Sequence, residues 1–423
     1  MRRRFSPWLG VVLVAVLSGV ALAGAFILWP APALPAVQSP VQGPELVARG
    51  RYVALAADCV ACHTTEGGQP YAGGRAFRLP FGVIYAPNIT PDVKTGIGSW
   101  SDAEFVRALK RGVDPHGREL YPAFPYTSYA GMSEADALAL KAYLFSLSPV
   151  SARVPDNSLV FPFDQRRLVR FWKLLFFRPP EPAPASADPT LARGAYLVEV
   201  LGHCGECHTP RNVFYGVRRN HALAGGTIQG WRAWNISSDP RHGIGAWSTA
   251  ELVTYLKTGY APGRASASGP MKEAIDYSLA HLSDSDLGAM AAYLKQTRPM
   301  DDGPLPPAGP SAAARRFDAT DPGAQLFAGA CSGCHEASGD GRQTPAASLI
   351  GRRALADPTS LNVVQTILRG GEVHTPLGPA FMPSFGANYS DAEIAAIANH
   401  VIDQLGSTRG KVRPRDVARA RAQ

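Results

Sequence analysis

The stretch ADCVACHTT, residues 57–65, sets Cys59 and Cys62 two residues apart with His63 directly behind. The arrangement returns in HCGECHTP as Cys204, Cys207 and His208, and in ACSGCHEA as Cys331, Cys334 and His335. These pairs use all six cysteines of the chain. Three chemistries employ paired cysteines. Disulfides suit an exported protein, but pairs this close are usually redox-active and leave the histidines unexplained. Zinc asks for four N or S ligands, commonly two such pairs brought together, and each copy offers three. Covalent haem uses every residue, because two thiols add to two vinyl groups and the adjacent His lies under the iron. The expectation is three covalently bound haem c groups.

Outward from the motifs, the surroundings repeat. APNITPDVKTGIGSWSDAEFVRALKRG (86–112) matches AWNISSDPRHGIGAWSTAELVTYLKTG (233–259) nearly position for position. Helical entries VARGRYVALAADC, LARGAYLVEVLGHC and DPGAQLFAGAC precede the motifs. Apolar-periodic runs headed by Ser133, Ser283 and Ser390, each with an acid three residues on, close the units in the manner of a capping box. A period this long means repeated domains rather than a solenoid. Pro/Ala-rich joints, RPPEPAPASADPT (178–190) and the stretch 298–322, separate the units. FPFDQRRLVRFWKLLFF (161–177) interrupts the plan with basic residues beside a dense aromatic face, suited to a membrane interface, a partner subunit or packing on a neighbouring unit.

The chain ends carry the charge. The formal net charge is +8 over 423 residues; Arg2, Arg3 and Arg4 and the tail from Arg409 onward supply all of it, leaving the body neutral. That removes the basic face a nucleic-acid partner would need. The tail reads as a solvated, disordered segment or a contact for anionic lipid. Trp8 to Trp29 contains no charge, long enough to cross a bilayer as a helix, with the arginines held on the cytoplasmic side. A signal peptide cut near Ala23 or Ala36 competes with an uncleaved anchor, which the length of the apolar run favours.

With NITPD…GIGSWS, LYPAFPYTSY, FWKLLFF, GHCGECHTPRN and FMPSF beside the three motifs, the chain resembles the multihaem cytochrome c subunits of bacterial membrane-bound dehydrogenases. Those accompany quinoprotein alcohol dehydrogenase, flavin-dependent gluconate, sorbitol and fructose dehydrogenases, and molybdenum-containing hydroxylases. The resemblance implies an all-α fold of three tandem cytochrome c-type domains behind an N-terminal transmembrane helix. The expected partition is an anchor at 1–36, domain 1 at 44–150, a connector at 151–187, domain 2 at 188–298, a linker at 299–318, domain 3 at 319–406 and a basic tail at 407–423. It also implies attachment at Cys59, Cys62, Cys204, Cys207, Cys331 and Cys334, with His63, His208 and His335 as proximal ligands.

A low-spin haem takes a second axial ligand, and Met raises its potential. Met382 of GPAFMPSF and Met271 of ASGPMKEAI stand where the resemblance places it; Met290 reads as core, and Met300 falls in a linker. Domain 1 departs, with Phe124 in YPAFPY where relatives often carry Met. Met132 is the tentative substitute, although it occupies a hydrophobic-staple position; His116, or an open site, are the alternatives. His203 suits a hydrogen bond near the haem edge, and His221, His242, His281, His374 and His400 lack partners at metal-ligand spacing. No phosphate loop, nucleophile elbow or HExxH stretch occurs. The expected function is a membrane-bound triheme cytochrome at the periplasmic face of the inner membrane. It would pass electrons from a catalytic dehydrogenase subunit (flavin, quinone-cofactor or molybdenum type) to quinone or a terminal oxidase, without being an enzyme by itself. A haem enzyme acting at an open-coordinate haem 1 is the alternative.

Overall fold

The computed structural model describes residues 7–180, 188–301, 303, 320–342, 344–357, 359–375, 378–406 and 408–423. The three N-terminal arginines, residues 181–187 of the first Pro-rich joint and most of the second joint lie outside the described residues.

Three times an entry helix crosses an exit helix. The pairs are Pro44–Ala56 with Glu134–Ser146, Pro189–Ala195 with Asp284–Leu294, and Pro322–Ala330 with Asp391–Leu405. At each crossing stands a glycine. A Cβ added to Gly50, Gly194 or Gly323 would lie 1.9, 2.1 or 2.3 Å from the carbonyl oxygen of Ala139, Ala289 or Ala396. Only a residue without Cβ lets these backbones approach so closely. The exit helices begin where expected: Ser133, Ser283 and Ser390 accept from the backbone N–H three residues on, and Glu393 completes the reciprocal box at Ser390.

The domains are mostly helical, as expected, and each also carries short antiparallel hairpins. Ala76–Leu79 pairs with Gly82–Tyr85, Gly226–Ile228 with Trp231–Ala233, and Gly371–Thr375 with Gly378–Met382. Gly82, Gly230 and Gly378 hold positive φ angles at the tight returns, a backbone shape that L side chains avoid. Strands of three to five residues are too short for alternation to stand out in the sequence.

Units 1 and 2 share one hydrophobic core, running from Val53 to Leu294, whereas unit 3 builds its own around Phe327, Ile367, Ile394 and Ile402. The join between units 1 and 2 is reciprocal. Tyr52 Oη donates to Asp286 Oδ2 at 2.5 Å and Tyr196 Oη to Asp136 Oδ2 at 2.7 Å. The same hydroxyls accept from Ser283 N and Ser133 N. Each aspartate also pairs with an arginine of its own entry helix, Asp136 with Arg49 and Asp286 with Arg193. Two repeats related by such an exchange pack as the halves of a two-fold dimer do. Unit 3 docks on unit 2 more lightly, through the Asn362–Arg232 backbone bonds at 2.8 and 3.0 Å and Arg352 Nη1 on Ser266 Oγ.

The tail is not a solvated strand. Pro414–Arg421 is a helix whose Val417 and Ala420 are buried on unit 3, and Arg421 Nε bonds Asp391 Oδ1 at 2.6 Å. The aromatic connector also folds back. Helix Val169–Phe176 places Arg170 and Lys173 on buried Glu119, and Trp172 Nε1 on the Phe214 carbonyl. Its Phe171 meets Phe26 at the end of helix Pro7–Leu28, ring centroids 5.1 Å apart. Counted over the described residues, no helix is long and apolar enough to cross a membrane. Pro7–Leu28 itself is nonetheless a continuous helix of 22 residues without a charged side chain, some of whose side chains fall outside that description.

Candidate haem sites

Each motif closes one turn of helix. The N–H of His63, His208 and His335 donates to the carbonyl of Cys59, Cys204 and Cys331 at 3.0, 2.9 and 2.9 Å, so the first cysteine and the histidine share a face. Asp58 and His203, immediately before motifs 1 and 2, adopt left-handed backbone with φ of 50° and 36°. This bends the entry helix into the motif.

The histidines are fixed alike. Nδ1 of His63 lies 2.7 Å from the Pro87 carbonyl, Nδ1 of His208 2.6 Å from that of Trp234, and Nδ1 of His335 2.6 Å from that of Ala347. A carbonyl only accepts, so Nδ1 carries the proton and Nε2 is left with its lone pair as a metal ligand. Burial lowers all three imidazole pKa values, which favours the neutral, ligating form. Pro87 and Trp234 occupy equivalent positions before Asn88 and Asn235. Those buried asparagines pin their loops by accepting from Thr90 N and Ser237 N and by donating to the Val150 and Met300 carbonyls. The NIT and NIS stretches thus hold the carbonyl that holds the histidine.

A largely apolar cavity of about 1510 Å³ runs through the molecule and is lined by Cys62, Cys204, Cys207, His208, Cys331, Cys334 and His335. Its volume exceeds the roughly 300–1000 Å³ of a pocket for one small ligand. Met271 and Met382 both line it. Met271 lies in the first turn of the helix Pro270–Tyr277, and Met382 ends the hairpin strand Gly378–Met382. Met290 is buried in its helix, as expected, and Met300 is also buried, under the bond from Asn235. Met132 is fully enclosed, at 0% exposure, and is absent from the cavity wall. His116 is exposed in a turn. His203 lines the cavity with its ring against Tyr129.

Burial of the thiols bears on the uses of paired cysteines. Burial pushes Cys62 and Cys204 up to about 12, and Cys207 and Cys331 up to about 11. Dithiol redox sites need the opposite, a thiolate near neutral pH. Among the described residues no three His, Cys, Asp or Glu side chains are placed to hold a bare metal ion, as a zinc site would require.

Comparison with known proteins completes the assignment. The model for Cytochrome c matches residues 47–148, and that for Cytochrome C oxidase, cbb3-type, subunit III matches 318–401. The chain is 37% identical over 404 residues to the fructose dehydrogenase cytochrome subunit of Gluconobacter japonicus, spanning 89% of this chain and 82% of that protein. It is 38% identical over 398 residues to the gluconate 2-dehydrogenase cytochrome c subunit of Pantoea cypripedii, 89% of each. It is 35% identical over 427 residues to the alcohol dehydrogenase (quinone) cytochrome c subunit of Komagataeibacter europaeus, 94% of this chain and 88% of that one. The chain belongs to the cytochrome c subunits of membrane-bound dehydrogenases.

A cytochrome c subunit of this family is an electron carrier within a dehydrogenase complex, and its three CxxC pairs are consistent with three covalent c-type haems. The residues fit that cofactor on their own chemistry, with protonated thiols, oriented neutral imidazoles and an apolar cavity at the motifs. Sequence reasoning missed the residues that act through their backbone. The carbonyls of Pro87, Trp234 and Ala347 leave no side-chain signature, and only the match of 86–112 with 233–259 could have pointed to the first two. It also missed Arg75, which donates to the Ala61 carbonyl inside motif 1 and pairs with Glu273 of unit 2 at 2.6 Å. Beside that pair, burial raises the Asp58 carboxyl to about 8, with Glu273 adding to the shift and Arg75 opposing it.

Proposed function

We propose that the chain is a membrane-anchored triheme relay, taking electrons from a catalytic dehydrogenase subunit and passing them to quinone or another respiratory acceptor. Covalent haem supplies one-electron exchange at each motif when bound. Cys59 and Cys62, Cys204 and Cys207, and Cys331 and Cys334 anchor it. His63, His208 and His335 would ligate the iron, and Met271 and Met382 would supply a further ligand in units 2 and 3. The observation that carries the reading is the threefold recurrence of one device, a histidine whose Nδ1 is held by a backbone carbonyl.

The units then fix how the sites sit relative to one another. Asp136, Asp286 and the Arg75–Glu273 pair clamp units 1 and 2 together. Trp234 orients His208 through its carbonyl and turns its ring toward Arg353 of unit 3, whose guanidinium carbon lies 5.0 Å from the ring centre. Helix Pro7–Leu28 anchors the chain, placing the folded units at the periplasmic face of the inner membrane. At 1.5 Å per residue the helix is about 33 Å long, comparable to the hydrocarbon core of a bilayer. The domain limits of 44–150, 188–298 and 319–406 are the partition this reading uses.

The test is haem content with partner identity. Purified protein should show three haems per chain by pyridine haemochrome, with the matching mass added at the paired cysteines. It should also leave the membrane only with detergent and carry a dehydrogenase subunit whose substrate reduces it. Colourless protein, or protein that no co-purifying dehydrogenase reduces, defeats the proposal.

A further inference from the structure

On the haem reading above, each unit should offer the iron a sixth ligand from the stretch between its middle helix and its exit helix. Units 2 and 3 do so with Met271 and Met382, both on the cavity wall. Unit 1 departs, because the corresponding stretch, 113–132, contains Met132 alone.

Met132 is the counterpart of Leu282 and not of Met271. Each directly precedes an N-cap serine. Each carbonyl accepts a bond at 2.9 Å from a lysine of the middle helix, Lys110 in unit 1 and Lys257 in unit 2. Both side chains are fully buried in the shared core, at 0% and 2% exposure. Leucine fills the same place in unit 2, so the position asks for apolar volume, and an enclosed sulfur has no open side from which to reach iron.

Among the other described donors of the stretch, the Tyr126 hydroxyl is buried without a hydrogen-bond partner, while His116 and the other tyrosines are exposed or bonded. His116 is exposed in a surface turn. Tyr129 Oη is spent on the Ala57 carbonyl. The Tyr126 ring faces the connector helix, with Lys173 Nζ 4.7 Å from its centre and Phe177 beside it. Phe124 packs on Tyr129, centroids 5.7 Å apart. Since Tyr129 reaches the backbone two residues before Cys59, Phe124 stands one ring away from motif 1. Phenylalanine has no lone pair to give.

We propose that unit 1 gives its haem no sixth ligand, so that this haem would bind a small neutral diatomic such as carbon monoxide, Phe124 standing in the stretch where a methionine would otherwise be offered.

The test uses detergent-solubilised holoprotein whose haem content has first been fixed by pyridine haemochrome. Fewer than three haems per chain overturns the relay reading; three haems leave it standing and put only this inference at stake. Titration of the reduced protein with carbon monoxide, followed by absorbance, should saturate at one molecule per three haems. Phe124→Met should abolish that binding and move haem 1 to a higher potential, whereas Met132→Leu should leave the stoichiometry at one. Absence of carbon monoxide binding in the parent overturns the proposal. So does binding that appears only in Met132→Leu or His116→Ala, since those outcomes would make Met132 or His116 the ligand.

Discussion

Replacing Gly194 by alanine tests the helix crossing that feeds motif 2. The new methyl would sit 2.1 Å from the Ala289 carbonyl oxygen, 2.7 Å from its carbon and 2.8 Å from Tyr293 Cβ. Two of those atoms are backbone, so no rotamer change relieves the clash. The helices must part by roughly 1 Å to restore ordinary contact distances of about 3.5 Å. Overpacking of this kind costs about 1–3 kcal/mol, and contact with rigid backbone belongs at the upper end. Alanine's better helix propensity returns about 1 kcal/mol. The net expectation is a loss of about 2 kcal/mol, a large part of a stability of about 5–15 kcal/mol. Gly288 lies in the partner helix Asp284–Leu294 with nothing within 4 Å of an added Cβ, so Gly288→Ala should gain about 0.5–1 kcal/mol. Guanidinium unfolding of the haem-loaded chain, read by far-UV circular dichroism, compares the two. Because the entry helix leads directly into Cys204, Gly194→Ala should also shift the potential of haem 2 while Gly288→Ala should not. If the two variants prove equally stable, the close-approach argument is wrong.

Other perturbations follow from the same contacts. Met382→Ala and Met271→Ala should each lower the midpoint potential of one haem, seen in a spectroscopic redox titration, while leaving haem content intact; unchanged potentials would remove those methionines from the iron. Tyr52→Phe and Tyr196→Phe should each destabilise by about 1–2 kcal/mol, since each leaves a buried aspartate one hydrogen bond short, and near-equal losses in denaturant titrations would bear out the two-fold relation. Glu251, held by Arg264 and by the Ser248 N–H, is depressed to about 2 from an ordinary value of 4.5. A depressed carboxylate stabilises the fold above its ordinary value and loses that contribution as pH falls through about 2, so Glu251→Gln should flatten the stability profile between about pH 4.5 and 2. Replacing the segment through residue 28 by a cleavable export signal should release the chain from washed membranes without loss of haem.

The haem motifs, the three-unit repeat and the capped exit helices were legible because each depends on side-chain identity at fixed spacing. Cys59, Cys62 and His63 announce their chemistry, and Ser390 with Glu393 announces a helix start. The crossing glycines were visible in all three entry runs, yet nothing in Gly50 or Gly194 states which backbone comes close. The carbonyls that orient the histidines belong to a proline, a tryptophan and an alanine, and a peptide oxygen is blind to its residue. Met132 stands out because sulfur is scarce in unit 1, and the equivalent Leu282 already marks its place as apolar in the sequence; the Lys110 bond to its carbonyl appears only in three dimensions. The tail misled through its charge, since its arginines concealed the buried face of Val412, Val417 and Ala420. Two-fold packing of units 1 and 2 was beyond reach, because Tyr52 and Asp286 lie 234 residues apart.

That exchange of tyrosines and aspartates bears on how the molecule can change over evolutionary time. A change on one half disturbs a contact on the other, as across the seam of a homodimer, so the first two units behave as a single piece. The third, with a separate interior and a slender attachment, can be lost, exchanged or retuned without disturbing its neighbours. Specialisation toward new redox partners has its freest ground there.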